Sequence, residues 1–175
     1  YMVTCYDFYG RRFVEWVLVL PMTIPTYIAA YSYYDALELL TPLMLWSRRT
    51  LGTDWTIAIE NLIVYLIVMI LFSFVLYPYI YITTRASLIL QGSRLIEAAS
   101  MLGISSRRVL DKVILPLIRP AVIAGLSLVV METLNDYAAV EYFGIPTLTI
   151  GIFRSWFGMN DMASALKLSA YMIIL

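Results

Sequence analysis

Three polar side chains stand close together late in the chain: Glu132, Asn135 and Asp136, with Glu141 five residues on. Positions 132 and 136 are one helical turn apart, so on a helix both carboxylates leave from the same face. Carboxylate and amide oxygens are hard donors that suit a hard cation. The rest of the chain offers them little help. It holds no His and a single Cys, Cys5, which removes the commonest general base, the commonest metal ligand and any disulfide framework. The carboxylates share one face and do not converge from several segments, which disfavours a membrane-embedded enzyme. No G-x-x-x-x-G-K-[ST] stretch occurs, so nucleotide chemistry must come from another subunit. We expect no catalytic residue, no permanent metal and no cofactor here.

A second pattern lies upstream. Glu97-Ala98-Ala99 is followed after three residues by Gly103, after nine more by Val113, and after one more by Leu115-Pro116. The apolar positions 95, 96, 99 and 102 fall at helical spacing. Gly103 can take the positive φ that ends a helix, and Ser105 or Ser106 can cap the next one. In that second helix Val109, Leu110, Val113, Ile114 and Leu117 share one face, opposite Arg107, Arg108, Asp111 and Lys112. Pro116 and Pro120 mark a return bend. The unit predicted is a helix–Gly–helix hairpin with one apolar and one polar face.

The elements that carry these residues belong in a membrane. Of the 175 residues 62% are hydrophobic and only 14% charged, with 12 basic against 12 acidic side chains and a mean hydropathy of +0.83. A soluble domain is nearer half apolar and a quarter charged. A net charge of zero gives no footing for nucleic acid. Between Asn61 and Thr84 there is no charged side chain, enough apolar length to cross a bilayer core of about 20 residues. Four spans are predicted, at about 13–30, 61–82, 117–137 and 162–175, the first carrying Pro21 and Pro25 as a packing kink. The opening at Tyr1 and the stop in an apolar run at Leu175 read as cut ends.

Arg and Lys concentrate before Phe13 and in residues 83–119, which hold eight of the 12 basic side chains. The positive-inside rule places both stretches in the cytoplasm, so the 97–116 hairpin lies along the inner surface. Counting from about Leu117 at 1.5 Å per residue, Glu132 lies roughly 22 Å along its span and Asp136 roughly 28 Å, toward the outer rim.

The spacing from Glu97 to Pro116 resembles the EAA signature of bacterial ABC importer permeases, with Val113 where that family usually has Ile. Six fixed positions meet by chance in on the order of one such chain in 10⁵. Asp7-Phe8-Tyr9-Gly10-Arg11-Arg12, Leu20 to Tyr27, Val75 to Tyr79, Met131-Glu132 with Asp136 and Tyr142-Phe143-Gly144, and Gly151 to Gly158 look like the ferric-iron permeases, of which thiamine and phosphonate permeases are close relatives.

That resemblance implies an all-α, multi-span bundle of the type I importer kind, with residues 1–175 part of one permease half in the bacterial inner membrane. It implies a cytoplasmic ATPase dimer that supplies ATP and Mg, an extracytoplasmic binding protein and a second permease half as partners. Glu97, Ala98, Ala99, Gly103, Leu115 and Pro116 would form the ATPase-coupling loop. The alternative is an interfacial hairpin in a membrane assembly protein.

For Glu132, Asn135, Asp136 and Glu141 two readings stand open. They line the mouth through which substrate enters, or Glu132 pairs with Lys167 or Arg154 to seal the bundle while Asp136 is solvated at the interface. Glu15 is expected to snorkel or to meet Arg11 or Arg12.

Overall fold

The computed structural model describes residues 2–39, 41–51, 53–92, 98, 101 and 104–174. Among these, every regular element is helical, as a chain so apolar requires when backbone groups find no water to bond. The helices are α1 (Met2–Cys5), α2 (Arg11–Val19), α3 (Thr26–Glu38), α4 (Thr41–Leu51), α5 (Thr53–Ser87), α6 (Ser106–Val109), α7 (Leu115–Asn135), α8 (Ala138–Tyr142), α9 (Leu148–Phe153) and α10 (Met162–Ile174). Two stretches, Ile57–Leu90 and Leu110–Asn135, are long and apolar enough to cross a membrane; a third counts if the pair Arg11–Thr23 and Thr26–Asp35 is one broken span. The helical membrane fold stands, and the first predicted span differs from its expected form.

The prolines explain the first difference. Over residues 13–30 the chain does not run as one kinked helix. Leu20–Thr23 tightens into a 3₁₀ turn around Pro21, and α3 starts afresh after Pro25. The Pro25 carbonyl accepts from the amides of Ile28 (3.0 Å) and Ala29 (3.2 Å), so a residue with no amide to offer is placed where a helix needs none. At the other end α10 has 13 residues, Met162–Ile174, within the stretch 162–175 read as the start of a fourth span. Residues 31–60, taken from the sequence as an outer loop, carry helix α4 and the ends of its two neighbours.

Two compact units divide the chain, Tyr1–Thr23 with Leu76–Met131, and Ile24–Val75 with Glu132–Leu175. In the first, α7 crosses the last turns of α5 at Gly125. A Cβ built on Gly125 would lie 2.6 Å from Thr83 Oγ1 and 2.7 Å from Ile80 Cα. Only a residue without a side chain lets the two backbones approach so closely, the usual means of helix association in lipid. Thr83 turns its hydroxyl back onto its own helix, donating to the carbonyls of Tyr79 (2.9 Å) and Ile80 (3.1 Å).

The second unit is held by aromatic edges and one buried hydroxyl. Tyr31 and Tyr34 of α3 meet the Tyr142 ring at 5.8 and 5.0 Å, edge to face, a geometry worth about 0.5–1.5 kcal/mol per pair beyond area alone. Thr149, the one buried polar side chain among the described residues, donates to the Leu134 carbonyl at the end of α7 and lies 3.8 Å from Met172 Sδ of α10. Gly144 closes α8 at φ 66°, and the Ile145 amide reaches back to the Val140 carbonyl at 3.0 Å.

Asp161 caps α10. Its Oδ1 accepts from the Ser164 amide at 3.1 Å and its Oδ2 from the Ser164 hydroxyl at 2.5 Å. The Ser164 hydroxyl and amide, with the nearby Lys167 charge, hold this carboxyl below the usual carboxylate range. A folded pKa below the unfolded one stabilises at pH above the unfolded value and is lost as pH falls through the folded one. Asp161→Ala is therefore expected to lower the protection of the Ser164 amide, its rate relative to the intrinsic rate at each pH, at neutral pH and to abolish the loss of protection on acidification. Wild-type protection that stays constant through the acid range would contradict the cap.

Candidate functional site

The segment from Leu88 to Ile118 is anchored by a small apolar core. Leu88, just past α5, is buried with Val109 and Ile114, and Leu110, Val113 and Ile118 pack around them. The opposite face, Arg108, Asp111 and Lys112, is exposed, so the amphipathic division read from the sequence holds. How it is achieved was not visible there. Residues five apart on an α-helix point about 140° away from each other. Leu110–Ile114 instead forms a π-turn, in which i and i+5 come into line. Its closing bond runs from the Leu115 amide to the Leu110 carbonyl, and that wider turn brings both Val109 and Ile114 onto Leu88.

Of the six expected coupling residues, Glu97, Ala99 and Gly103 lie outside the described residues. Ala98 is helical and exposed, as is Met101 one turn on. Leu115 and Pro116 open α7. Pro116 follows the π-turn in a helix that runs on from Ser106, so its missing amide leaves a carbonyl of the preceding turn without its helical donor.

A charge network lies beside this segment in the same unit. Arg11 bonds Asp7 and reaches Glu15 Oε1 through Nε at 3.1 Å. The same Oε1 accepts from Arg85 Nη2 at 2.8 Å. The sequence pointed Glu15 to Arg11 or Arg12; it meets Arg11, and also Arg85, seventy residues away, which no local pattern signals. The pair fixes the start of α2 at the level of the end of α5. These side chains are 21–32% exposed, so a Glu15/Arg85 double-mutant cycle is expected to give a coupling on the order of 1 kcal/mol. A coupling of zero in the folded protein would mean that the contact holds nothing.

The four polar residues near the end of α7 separate in role. Glu132 and Asn135 sit in its last turn, Glu132 partly buried and Asn135 exposed, and Glu141 is exposed on α8. Asp136 Oδ1 accepts from the Ala139 amide at 2.9 Å, which caps the start of α8. Among the described residues, the ion pairs join Arg11, Asp7, Glu15 and Arg85, and none includes Glu132. Lys167 lends its field to Asp161. No group of three or more His, Cys, Asp or Glu placed to hold a metal occurs among the described residues.

Residues 5–175 match the family described as binding-protein-dependent transport system inner membrane component. The sulfate transport system permease protein CysT of Escherichia coli (strain K12) is 28% identical over 144 residues, covering 81% of this chain and 49% of that protein. A probable sulfate transport system permease protein cysT of Chlorella vulgaris is 28% identical over 146 residues, with 80% and 50% covered. The molybdenum transport system permease protein ModB of Haemophilus influenzae is 28% identical over 141 residues, with 78% and 57% covered. The chain thus spans about half the length of the curated relatives it matches. No solved structure matches it.

Proposed function

Because the chain belongs to the family of binding-protein-dependent transport system inner membrane components, we propose that it is the membrane-spanning subunit of an ATP-driven importer in the bacterial inner membrane. The observation that carries this is the family match over residues 5–175, in which the Glu97–Pro116 spacing falls. The chain acts with a cytoplasmic ATPase dimer, an extracytoplasmic binding protein and a second permease half. It performs no covalent chemistry itself; the ATPase binds and hydrolyses ATP.

The coupling loop is the segment from Glu97 to Pro116. Ala98 and Met101 are exposed on a helix, as a surface that enters a groove on the ATPase must be. The apolar core of Leu88, Val109 and Ile114 joins that loop to the ends of both long helices. A push on the loop is thereby passed to α5 and α7 as a rigid displacement, because packed cores transmit strain rather than absorb it. Alternating access follows when closure of the ATPase dimer moves the two helix ends together.

The cargo we propose is ferric iron. The stretches at Asp7–Arg12, Val75–Tyr79 and Gly151–Gly158 support it, together with the carboxylates of Glu132, Asp136 and Glu141 near the outer end of α7. Hard oxygen donors at a mouth attract a trivalent cation without trapping it, provided they do not form a closed ligand set. A second reading is an oxyanion, because the relatives are named for sulfate and molybdenum. Uptake of radiolabelled ferric iron by the full-length chain with its ATPase and binding protein, challenged with sulfate, molybdate or thiamine, separates them. Uptake that resists all three competitors and falls in Glu132→Gln supports iron and the acidic path. Sulfate or molybdate uptake in place of iron overturns the cargo and keeps the permease.

A further inference from the structure

The last turns of α5 carry a row of polar groups that the importer mechanism does not use. Tyr81, Thr84 and Arg85 line a cavity of about 380 Å³ whose remaining wall includes Ile80, Leu88 and Val122. Three atoms of these residues, the Tyr81 hydroxyl, Thr84 Oγ1 and Arg85 Nε, have no surface open to solvent and no hydrogen-bond partner. Positions 77, 81, 84 and 88 follow the i, i+4, i+7, i+11 spacing of one helix face, so the row faces one way. A buried donor left unmet costs about 1–3 kcal/mol. Three side by side mark a place where a ligand completes the structure.

The three groups define that ligand. Arg85 Nε is a cationic donor and the two hydroxyls are donors that turn freely. Together they fit an oxyanion with several acceptor oxygens. A neighbouring cavity shares Arg85 and is lined by Asp7 and Glu15 against Arg11, Arg12 and Arg85, one positive charge in excess, with Arg85 itself paired to Glu15 through Nη2. The rest of the cavity wall is aliphatic, which free phosphate does not need and an acyl chain does. Depth agrees as well. Ile57–Leu90 has 34 residues, roughly 50 Å of helix, against a hydrocarbon core of about 30 Å. With residues 83–119 on the cytoplasmic side, the turns at 81–85 fall at the inner headgroup level.

We propose that this cavity binds the phosphate headgroup of an anionic phospholipid of the inner leaflet, with Arg85, Thr84 and Tyr81 on the phosphate and Ile80, Leu88 and Val122 along the first acyl carbons. The bound lipid stands between α5 and the Leu88 core of the coupling loop, so its headgroup stiffens the joint through which the ATPase acts. This rests on the inner placement of residues 83–119 and not on the cargo.

The test uses the full-length permease–ATPase complex in nanodiscs of equal phosphatidylglycerol and phosphatidylcholine, extracted gently and weighed by native mass spectrometry. Tyr81→Phe and Thr84→Val remove only the hydroxyls and keep the shape, so the fold is retained; melting temperature checks this. Wild type is expected to keep one phosphatidylglycerol in preference to phosphatidylcholine by about fivefold, the factor one interfacial arginine contributes, Arg85→Gln to lose that preference, and the double variant to retain less of either lipid. Equal retention by wild type and the double variant, or no preference in wild type, overturns the site. Displacement of the lipid by excess inorganic phosphate overturns the lipid as its ligand. A complex that takes up cargo with ATP yet holds no lipid defeats this inference and leaves the transport reading standing.

Discussion

Replacing Gly125 by leucine is expected to remove most of the folded permease from the membrane fraction, and Gly125→Ala to lower its yield and melting temperature by a smaller step. The reason is geometric. The atom nearest to a new Cβ after the Thr83 hydroxyl is a backbone carbon, Ile80 Cα at 2.7 Å. A flexible side-chain tip can swing aside; a helix backbone cannot. Alanine already forces α5 and α7 apart, and leucine adds three further carbons at the same point. Overpacking of a well-packed site costs roughly 1–3 kcal/mol and occasionally more, a large part of the 5–15 kcal/mol that usually separates folded from unfolded. Gly151→Ala is the matched control. Its Cβ would meet Leu168 Cδ1 at 3.5 Å, an ordinary contact, and little change is expected. Equal yields for Gly125→Leu and Gly151→Ala, compared by fluorescence-detected size exclusion, would contradict the crossing described.

Ile114→Ala is expected to uncouple the permease without unfolding it. Ile114 is 1% exposed and is the residue that the π-turn places on Leu88. Truncating a buried isoleucine costs roughly 2–5 kcal/mol. Here that loss falls on the small core of Leu88, Val109 and Ile114, so it loosens residues 88–118 while the crossing at Gly125 remains. Amide exchange across 104–118 should speed up by at least about tenfold, the factor carried by 1.4 kcal/mol. Stimulation of the ATPase by loaded binding protein should fall with it. Gly103→Val, at the predicted bend of the loop, should give the same uncoupled behaviour with normal membrane insertion. Faster exchange with undiminished ATPase stimulation would show that the Leu88 core does not carry the stroke.

Much of this was legible in the sequence because membrane and helix signals are local. Uncharged length marked the helix that became α5, and the alternation of apolar and charged residues from Arg107 to Leu117 marked its two faces correctly. What was not legible depends on partners distant in the chain. Nothing near Glu15 names Arg85, and nothing near Gly125 names Ile80. The structure buries Gly125 against α5. The π-turn at Leu110–Ile114 adds a residue to a turn without altering composition, so a periodicity of 3.6 passes over it. Pro21 and Pro25 together read as a tolerated kink of a membrane helix; in the structure they break it, with a 3₁₀ turn at Leu20–Thr23 and a new helix after Pro25. Asp136 had looked like a free carboxylate on the Glu132 face until the Ala139 amide was found on its Oδ1.

The central claim is that this chain passes a solute through the membrane at the expense of ATP hydrolysed elsewhere. The most direct measurement is solute uptake into proteoliposomes holding the full-length permease and its ATPase, with loaded binding protein outside and ATP within. The account requires uptake of ferric iron that depends on both ATP and binding protein and is lost in Ile114→Ala and Gly103→Val, which still insert. An assembled complex that hydrolyses ATP and moves neither ferric iron, sulfate nor molybdate would contradict it.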